Sequence, residues 1–163
     1  MNNPLILFTY LLYLVEMAAD SDIILLSTTL SNMCLDNVRP TFYLGGLKHN
    51  PIRAGGVIFY KYNESGYDCL LSYDGKTYSD FGGKTDTSDS CIEDTVSREV
   101  AEESNGVFEK DWTKDRLKQN PFYIKKGKYI VYFVELTSWY DPSLFGDIEV
   151  HAQIPRKIDW IPF

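Results

Sequence analysis

Three glutamates stand close together in the stretch 98–103, which reads REVAEE. In a helix that turns about 100° per residue, Glu99, Glu102 and Glu103 share an arc of about 100° and therefore one surface. Like charges three or four residues apart disfavour a helix by a few tenths of a kcal/mol each, so helix stability does not explain the set. Hard divalent cations such as Mg²⁺ prefer carboxylate and phosphate oxygens, which makes this surface a candidate metal site. The alternative interpretation is a solvated, charged helix face.

A helix over residues 91–104 is predicted to carry these side chains. Ser90 and Glu93 have the spacing of a capping box, in which each side chain satisfies the other residue's backbone N–H. Asn105 and Gly106 tolerate the left-handed conformation that ends many helices. The face turned to the core is predicted from apolar residues that recur every four positions, namely Ile92, Val96 and Val100.

Two further features surround the acidic surface. Arg98 lies one helical turn from both Asp94 and Glu102, so it is predicted to orient the carboxylates without being a metal ligand. Upstream, residues 81–84 read FGGK, a strand end with two glycines at which the backbone can approach a metal or phosphate closely. Lys84 adds a positive charge there and is a candidate substrate contact.

Residues 83–107 resemble the signature of the Nudix hydrolases, G-x5-E-x7-R-E-U-x-E-E-x-G-U, in which U is an aliphatic residue. The resemblance extends more loosely over residues 53–163, because the β-hairpin that precedes the signature and the long strand that follows it are both predicted in order. The positions that match are Gly83, Arg98, Glu99, Val100, Glu102, Glu103, Gly106 and Val107.

The resemblance implies a metal-dependent enzyme that hydrolyses a diphosphate linkage in a nucleoside diphosphate derivative, with Mg²⁺ or Mn²⁺ as cofactor. It implies that Arg98 is an orienting residue and that Glu99 is also a candidate base acting on water. In some members a later loop supplies the base, and Glu149 is the best candidate for that role here. The metal ligands that it implies are the Gly83 carbonyl, Glu99, Glu102 and Glu103.

The spacing departs from the family pattern at two places. Arg98 follows Gly83 by 15 positions, one more than the pattern has, so that Ser90 takes the register of the first glutamate and Glu93 is a candidate substitute for it. Gly106 also follows Glu103 one position later than the pattern, which gives Asn105 the helix-ending role. Neither insertion falls within the R-E-U-x-E-E core.

The substrate is less determined than the reaction. The most direct expectation is a small nucleotide, with Lys84 near its phosphates and Phe122 or Tyr123 stacked on its base. Removal of an RNA cap or 5′ diphosphate is an alternative, and a non-catalytic nucleotide-binding module is another. The RNA alternative is suggested by a basic stretch after the acidic helix, comprising Lys110, Lys114, Arg116, Lys118, Lys125, Lys126 and Lys128.

The elements that must position these residues form an α+β domain over residues 39–163. Strands are predicted at 41–44, 56–62, 67–73 and 128–136, the second and third forming a hairpin. A Nudix-type fold is an αβα sandwich with a mixed sheet and the signature helix on one face. Residues 1–38 are predicted to be an apolar helical extension. The resemblance implies a further helix after the strand at 158–163, which the chain is expected to lack.

Composition excludes several classes of protein. The 163 residues are 44% hydrophobic and carry a net charge of −7, which fits one globular domain and opposes non-specific binding to DNA or to an anionic membrane. The apolar run at 4–15 is too short for a membrane span. Three widely spaced cysteines suggest neither disulfides nor a zinc site, and a cytoplasmic location is expected. His49 and His151 are expected to be isolated surface residues.

Overall fold

A computed structural model of the chain describes residues 39–64, 66–119 and 122–162. The predicted N-terminal helices at 1–38 lie outside the described residues. Two helices and eleven strands, together with 3-10 turns at Leu44–Gly46 and Pro142–Phe145, are described. In chain order the helices and strands are β1 Phe42–Tyr43, β2 Pro51–Ile52, β3 Ala54–Asn63, β4 Gly66–Tyr73, β5 Tyr78–Ser79, β6 Phe81–Lys84, α1 Ile92–Glu103, α2 Lys110–Gln119, β7 Tyr123–Lys126, β8 Tyr129–Glu135, β9 Ile148–Glu149, β10 Ile154–Pro155 and β11 Lys157–Pro162.

The predicted mixed α+β fold is confirmed by a seven-stranded sheet with the order β11-β4-β3-β8-β7, in which β5 pairs with β4 and β6 pairs with β3. The predicted hairpin is β3 and β4, which pair antiparallel and end with Asn63 opposite Gly66. Strand β8 runs parallel to β3, and β6 pairs antiparallel with the first residues of β3. After the loop at 85–91, helix α1 therefore follows β6, a strand that pairs with β3 at the centre of the sheet.

The core lies between the sheet and both described helices. Val96 and Val100 of α1 are fully buried with Phe59 of β3, as the four-residue spacing predicts. The Phe59 ring also packs 4.2 Å from that of Phe108, which stacks on Trp112 of α2. Burying each such side chain contributes about 1.5–3 kcal/mol before conformational entropy is subtracted. This core fixes α1 against the sheet.

The start of α1 differs from its prediction, whereas the end agrees with it. Cys91 is the N-cap residue and makes no side-chain cap. The predicted capping box is wrong, because Ser90 donates through both its amide and hydroxyl to Asp94, and Glu93 accepts from the Tyr132 hydroxyl at 3.2 Å. The helix ends as expected, since Asn105 has a φ of 53° and the next residue, a glycine, a φ of 79°.

Two smaller expectations concern cysteines and the membrane. Cys69 and Cys91 are free thiols, and burial raises the pKa of the Cys69 thiol to about 12. Among the residues that the structure describes, no helix has the length and apolar character needed to cross a membrane.

Candidate active site

Two glycines bring the backbone of β6 against the acidic face of α1. A Cβ atom at Gly83 would overlap the carboxyl group of Glu99, so only glycine allows this approach. One position earlier, the Gly82 N–H donates a hydrogen bond of 2.8 Å to Oε2 of Glu103. The structure thus places FGGK beside the glutamates, as the sequence predicts, and fixes two of the three carboxylates against one strand.

Arg98 contacts two of the three glutamates and the backbone of β6. Its Nη1 lies 2.7 Å from Oε1 of Glu99 and 3.3 Å from Oε2 of Glu102. Its Nη2 donates to the main-chain carbonyl of Lys84 at 3.0 Å. The predicted pairing with Asp94 is wrong, because Asp94 forms an ion pair with Lys114 of α2. Arg98 therefore links α1 to β6 and orients two of the proposed ligands.

Asp89 is a further partner of Arg98, and the sequence did not predict it. Its carboxylate accepts from Nε and Nη2 of Arg98 at 3.2 and 3.1 Å, from the Thr95 hydroxyl at 2.8 Å and from the Asp86 amide at 2.7 Å. Burial opposes ionisation of Asp89, but the hydrogen bonds from Arg98, the Asp86 amide and Thr95 outweigh it, and its pKa lies below the ordinary value.

Neither Ser90 nor Glu93, the two candidates for the place of the first glutamate, contacts Arg98. Ser90 and Glu93 contact Asp94 and Tyr132 respectively, while Asp89 pairs with Arg98. Counting forward from Gly83 gives Asp89 the place of the first glutamate, whereas counting backward from Arg98 gives Ser90. The forward count is the sequence signal that points to Asp89.

A second group of acids lies behind Glu103. The Tyr129 hydroxyl donates to Asp80 at 2.9 Å, and a Cβ atom on Gly56 would overlap both groups. Burial, then the charges of Asp80 and Glu149, raise the pKa of Glu103 to about 9 against the Gly82 hydrogen bond. Burial likewise raises the pKa of Asp80 to about 6. Two interacting acids with raised pKa values, Asp80 and Glu103, therefore lie at this end of the site.

The donor set fits a hard cation in chemistry and charge. Carboxylates and a main-chain carbonyl are the ligands that Mg²⁺ and Mn²⁺ prefer, and a bound cation would offset the cost of ionising Glu103, whose pKa is raised first by burial and then by the charge of Asp80. No three acidic, histidine or cysteine side chains of residues 39–64, 66–119 and 122–162 converge on one point. We attribute this to the Arg98 guanidinium, which lies between Glu99 and Glu102 and contacts an oxygen of each.

The hairpin of β9 and β10 approaches the same end of α1. Glu149, the candidate base, is half-buried in β9, and its charge contributes to the raised pKa of Glu103. His151 Nε2 lies 3.8 Å from Oε2 of Glu102. His151 is exposed, as expected of a surface residue, and its approach to Glu102 was not predicted. No sequence signal connects residue 151 to a helix that ends about fifty positions earlier.

The predicted substrate residues occupy two different places. Lys84 ends β6 directly beside Gly83 and is exposed. The rings of Phe122 and Tyr123 are exposed at the sheet edge and pack on Phe133 and Tyr132, with centroids 5.3 and 5.7 Å apart.

Tyr123 lies at the opposite end of α1 from Glu103. Tyr132, on which Tyr123 packs, donates to Glu93 in the first turn of α1. Glu103 follows Glu93 by ten positions, or about 15 Å along a helix. A substrate that touches both Tyr123 and the carboxylates must therefore extend along the helix.

The basic stretch is divided between α2 and β7. Lys114 pairs with Asp94, and the Arg116 guanidinium lies 5.3 Å from the centre of the Trp112 ring. The positive charge at these two positions therefore takes part in packing within the domain. The structure does not form the whole stretch into a single continuous surface.

Comparisons with known proteins find similar structures. The chain matches an Ap4A hydrolase of C. elegans, in a binary complex, at 13% identity and a TM-score of 0.40, covering 68% of this chain and 80% of that one. It also matches the Nudix domain of Shewanella oneidensis NrtR, complexed with ADP-ribose, at 16% identity and a TM-score of 0.43, covering 68% and 72%.

No family model matches the chain, and no curated protein matches it. The identities and TM-scores of the structural matches are low, so the functional argument rests on the contacts of this chain's own residues.

Proposed function

We propose that the chain is a metal-dependent hydrolase of the diphosphate linkage in a nucleoside diphosphate derivative. One observation carries this proposal: α1 presents Glu99, Glu102 and Glu103 together at the glycines of β6, where backbone and Arg98 fix all three carboxylates. Such an arrangement opposes helix stability, and a bound cation would offset that cost, which supports the proposal.

The proposed ligands of Mg²⁺ or Mn²⁺ are Glu99, Glu102, Glu103 and the main-chain carbonyl of Gly83. When bound, the metal supplies neutralisation of phosphate charge and activation of water at this point. Arg98 then orients Glu99 and Glu102, and the Gly82 N–H holds Glu103.

Two residues are proposed for the proton transfer and three for substrate binding. Glu149 is our first choice as base, because its charge acts on Glu103 while the hydrogen bonds of Arg98 go to Glu99 and Glu102. Glu99 is the second choice. We propose that Lys84 contacts the phosphates, since it follows Gly83 directly, and that the exposed rings of Phe122 and Tyr123 stack on a nucleobase.

Chromatographic product analysis of a panel of nucleotides incubated with Mg²⁺ tests the proposal, because cleavage of the linkage yields a nucleotide and a second organic phosphate rather than inorganic phosphate. The panel includes ADP-ribose, Ap4A, nucleoside diphosphate sugars and capped RNA. We expect Glu102→Gln and Glu103→Gln to lower kcat at least about 100-fold, because metal stabilisation of the transition state contributes several kcal/mol. Glu109→Gln, at an exposed position just before α2, is the matched control and should keep the wild-type rate.

Other outcomes select other functions. Equal rates for wild type, Glu102→Gln and Glu103→Gln would show that the site is wrongly assigned. Cleavage of capped RNA but of no small nucleotide, together with RNA binding that weakens steeply with salt, would favour the RNA alternative. Nucleotide binding by calorimetry without turnover on any substrate would identify a non-catalytic binding module.

A further inference from the structure

Asn105 ties the end of α1 to the segment that carries Glu149. Its Nδ2 donates to the main-chain carbonyls of Phe145 and Ile148 at 2.7 and 2.8 Å, and its Oδ1 accepts from the Val150 amide at 2.9 Å. These bonds use both amide protons and the carbonyl oxygen of one side chain. A single residue thus holds the backbone on both sides of Glu149.

The position of Asn105 makes this tie rigid relative to the carboxylates. Its own amide donates to the Glu102 carbonyl at 3.1 Å, so it belongs to the last turn of the helix that carries Glu102 and Glu103. Its φ of 53° lies in the left-handed region, which asparagine tolerates better than most residues other than glycine. Side-chain bonding and backbone conformation therefore select asparagine together.

Arg156 secures the other side of the same hairpin. Its Nη2 donates to the Phe145 carbonyl at 3.3 Å, the acceptor that Asn105 also uses, and its amide donates to the Asp147 carbonyl at 2.9 Å. Arg156 is 7% exposed. The hairpin is thus anchored at its base by a buried residue and along β9 by Asn105.

We propose that Asn105 is a positioning residue that holds Glu149 at the carboxylate cluster during the hydrolysis proposed above, on which this inference rests. Glu149 acts electrostatically on Glu103, and His151 lies 3.8 Å from Glu102, so the hairpin brings two polar side chains to the proposed ligands. Both contacts depend on where the backbone at 148–150 lies. Asn105 fixes that backbone without reaching the substrate itself.

A double-mutant cycle tests the inference. Asn105→Gly keeps the left-handed backbone and removes only the side-chain bonds. We expect it to lower kcat at least tenfold with a smaller change in KM. Since Asn105 acts through Glu149, the double variant with Glu149→Gln should be no slower than the slower single variant. Losses that multiply, or a wild-type rate for Asn105→Gly or for Glu149→Gln, would overturn the proposal.

A matched control separates positioning from general stability. Asn63 also ties a hairpin, because its side chain accepts a hydrogen bond of 2.9 Å from the Gly66 amide. It lies far from the site: Ala54, which pairs with Lys84 at the site, is nine positions away along β3, or about 30 Å in a strand. Asn63→Ala should therefore lower stability while its kcat stays equal to that of the wild type. An equal loss of kcat in Asn63→Ala would assign the effect of Asn105→Gly to stability alone.

Hydrogen exchange keeps the two proposals distinguishable. We expect Asn105→Gly to speed amide exchange in peptides covering 147–155 at least tenfold, beginning with the Val150 amide, while peptides of β4 stay unchanged. If the wild type hydrolyses no substrate, the proposed function fails, and this readout alone then decides whether Asn105 holds the hairpin. Unchanged exchange at 147–155 would overturn the positioning role in either case.

Discussion

The pKa values of the carboxyl groups shift in opposite directions at the two ends of α1. At the start, Asp89 and Asp94 are paired with Arg98 and Lys114, and both have a pKa below the ordinary value. At the end, burial raises the pKa of Glu99 despite its Arg98 hydrogen bond, and raises that of Glu103 to about 9. At the start of α1 the acids are therefore stabilised by ion pairs, whereas at its end burial outweighs the hydrogen bonds that the acids accept.

This difference indicates which charges serve structure and which serve chemistry. A buried acid with cationic and amide donors is ionised and fixed, so removing it leaves Arg98 without its main partner. An acid such as Glu103, for which burial outweighs its one amide donor, costs stability when ionised unless a cation is present. We infer that the first end of α1 anchors the helix and that the second end is held ready for a positively charged ligand.

The largest effect is expected from breaking the paired end. Asp89→Ala should lower the free energy of unfolding by about 3–5 kcal/mol, because it removes one partner of a buried ion pair and four accepted hydrogen bonds. Urea denaturation measures this change. Asp86→Ala, on the same loop but exposed, should cost less than about 1 kcal/mol. Similar losses for the two variants would contradict the structural role of Asp89.

A smaller, pH-dependent effect of opposite sign is expected at the unpaired end. Glu103 ionises near 4.5 in the unfolded chain and near 9 in the folded chain, so the unfolded chain loses this proton first as the pH rises. The stability that Glu103 contributes is therefore present below about pH 4.5 and lost progressively towards pH 9. Glu103→Gln cannot ionise and should lack this loss.

Thermal unfolding in EDTA at pH 5 and pH 9 measures the difference. Glu103→Gln should match wild type at pH 5 and exceed it by about 1–3 kcal/mol at pH 9, or several degrees in Tm. Glu109→Gln, in which the substituted side chain is exposed, should follow wild type at both values. A gap between Glu103→Gln and wild type that does not widen with pH would show that Glu103 is compensated in the fold.

The smallest effect is expected where the paired end reaches the surface. Lys114→Met removes the partner of Asp94, but the Lys114 side chain is 28% exposed, and exposed ion pairs contribute about 0–1 kcal/mol. Lys118→Met, near the exposed end of α2, is the control for the change in net charge. Chemical denaturation at low and high salt should show a difference between the variants that shrinks as salt rises. A loss above 2 kcal/mol would place Lys114 in the same class as Asp89.

Much of the site follows from the sequence, because local spacing sets it. The helix, its buried valines and its left-handed end at Asn105 were predicted from residue types within a few turns. The approach of FGGK to the glutamates followed from two glycines and the resemblance. The capping box and the Asp94 partner of Arg98 were wrong, since both were chosen from spacing alone, whereas Tyr132 and Lys114 compete for those carboxylates from other elements.

By itself the sequence determined the periodic elements, the acidic surface and the candidate metal chemistry, because a repeat of three or four residues fixes which side chains share a helix face. Only the tertiary structure decided that Asp89 holds Arg98, that Asp80 and Tyr129 lie behind Glu103, and that Asn105 bonds the backbone around Glu149. These contacts join residues brought together by the pairing of β3 with β6 and β8 and by the return of the hairpin to α1. Their energies depend on burial and on neighbours distant in sequence, which local spacing does not encode.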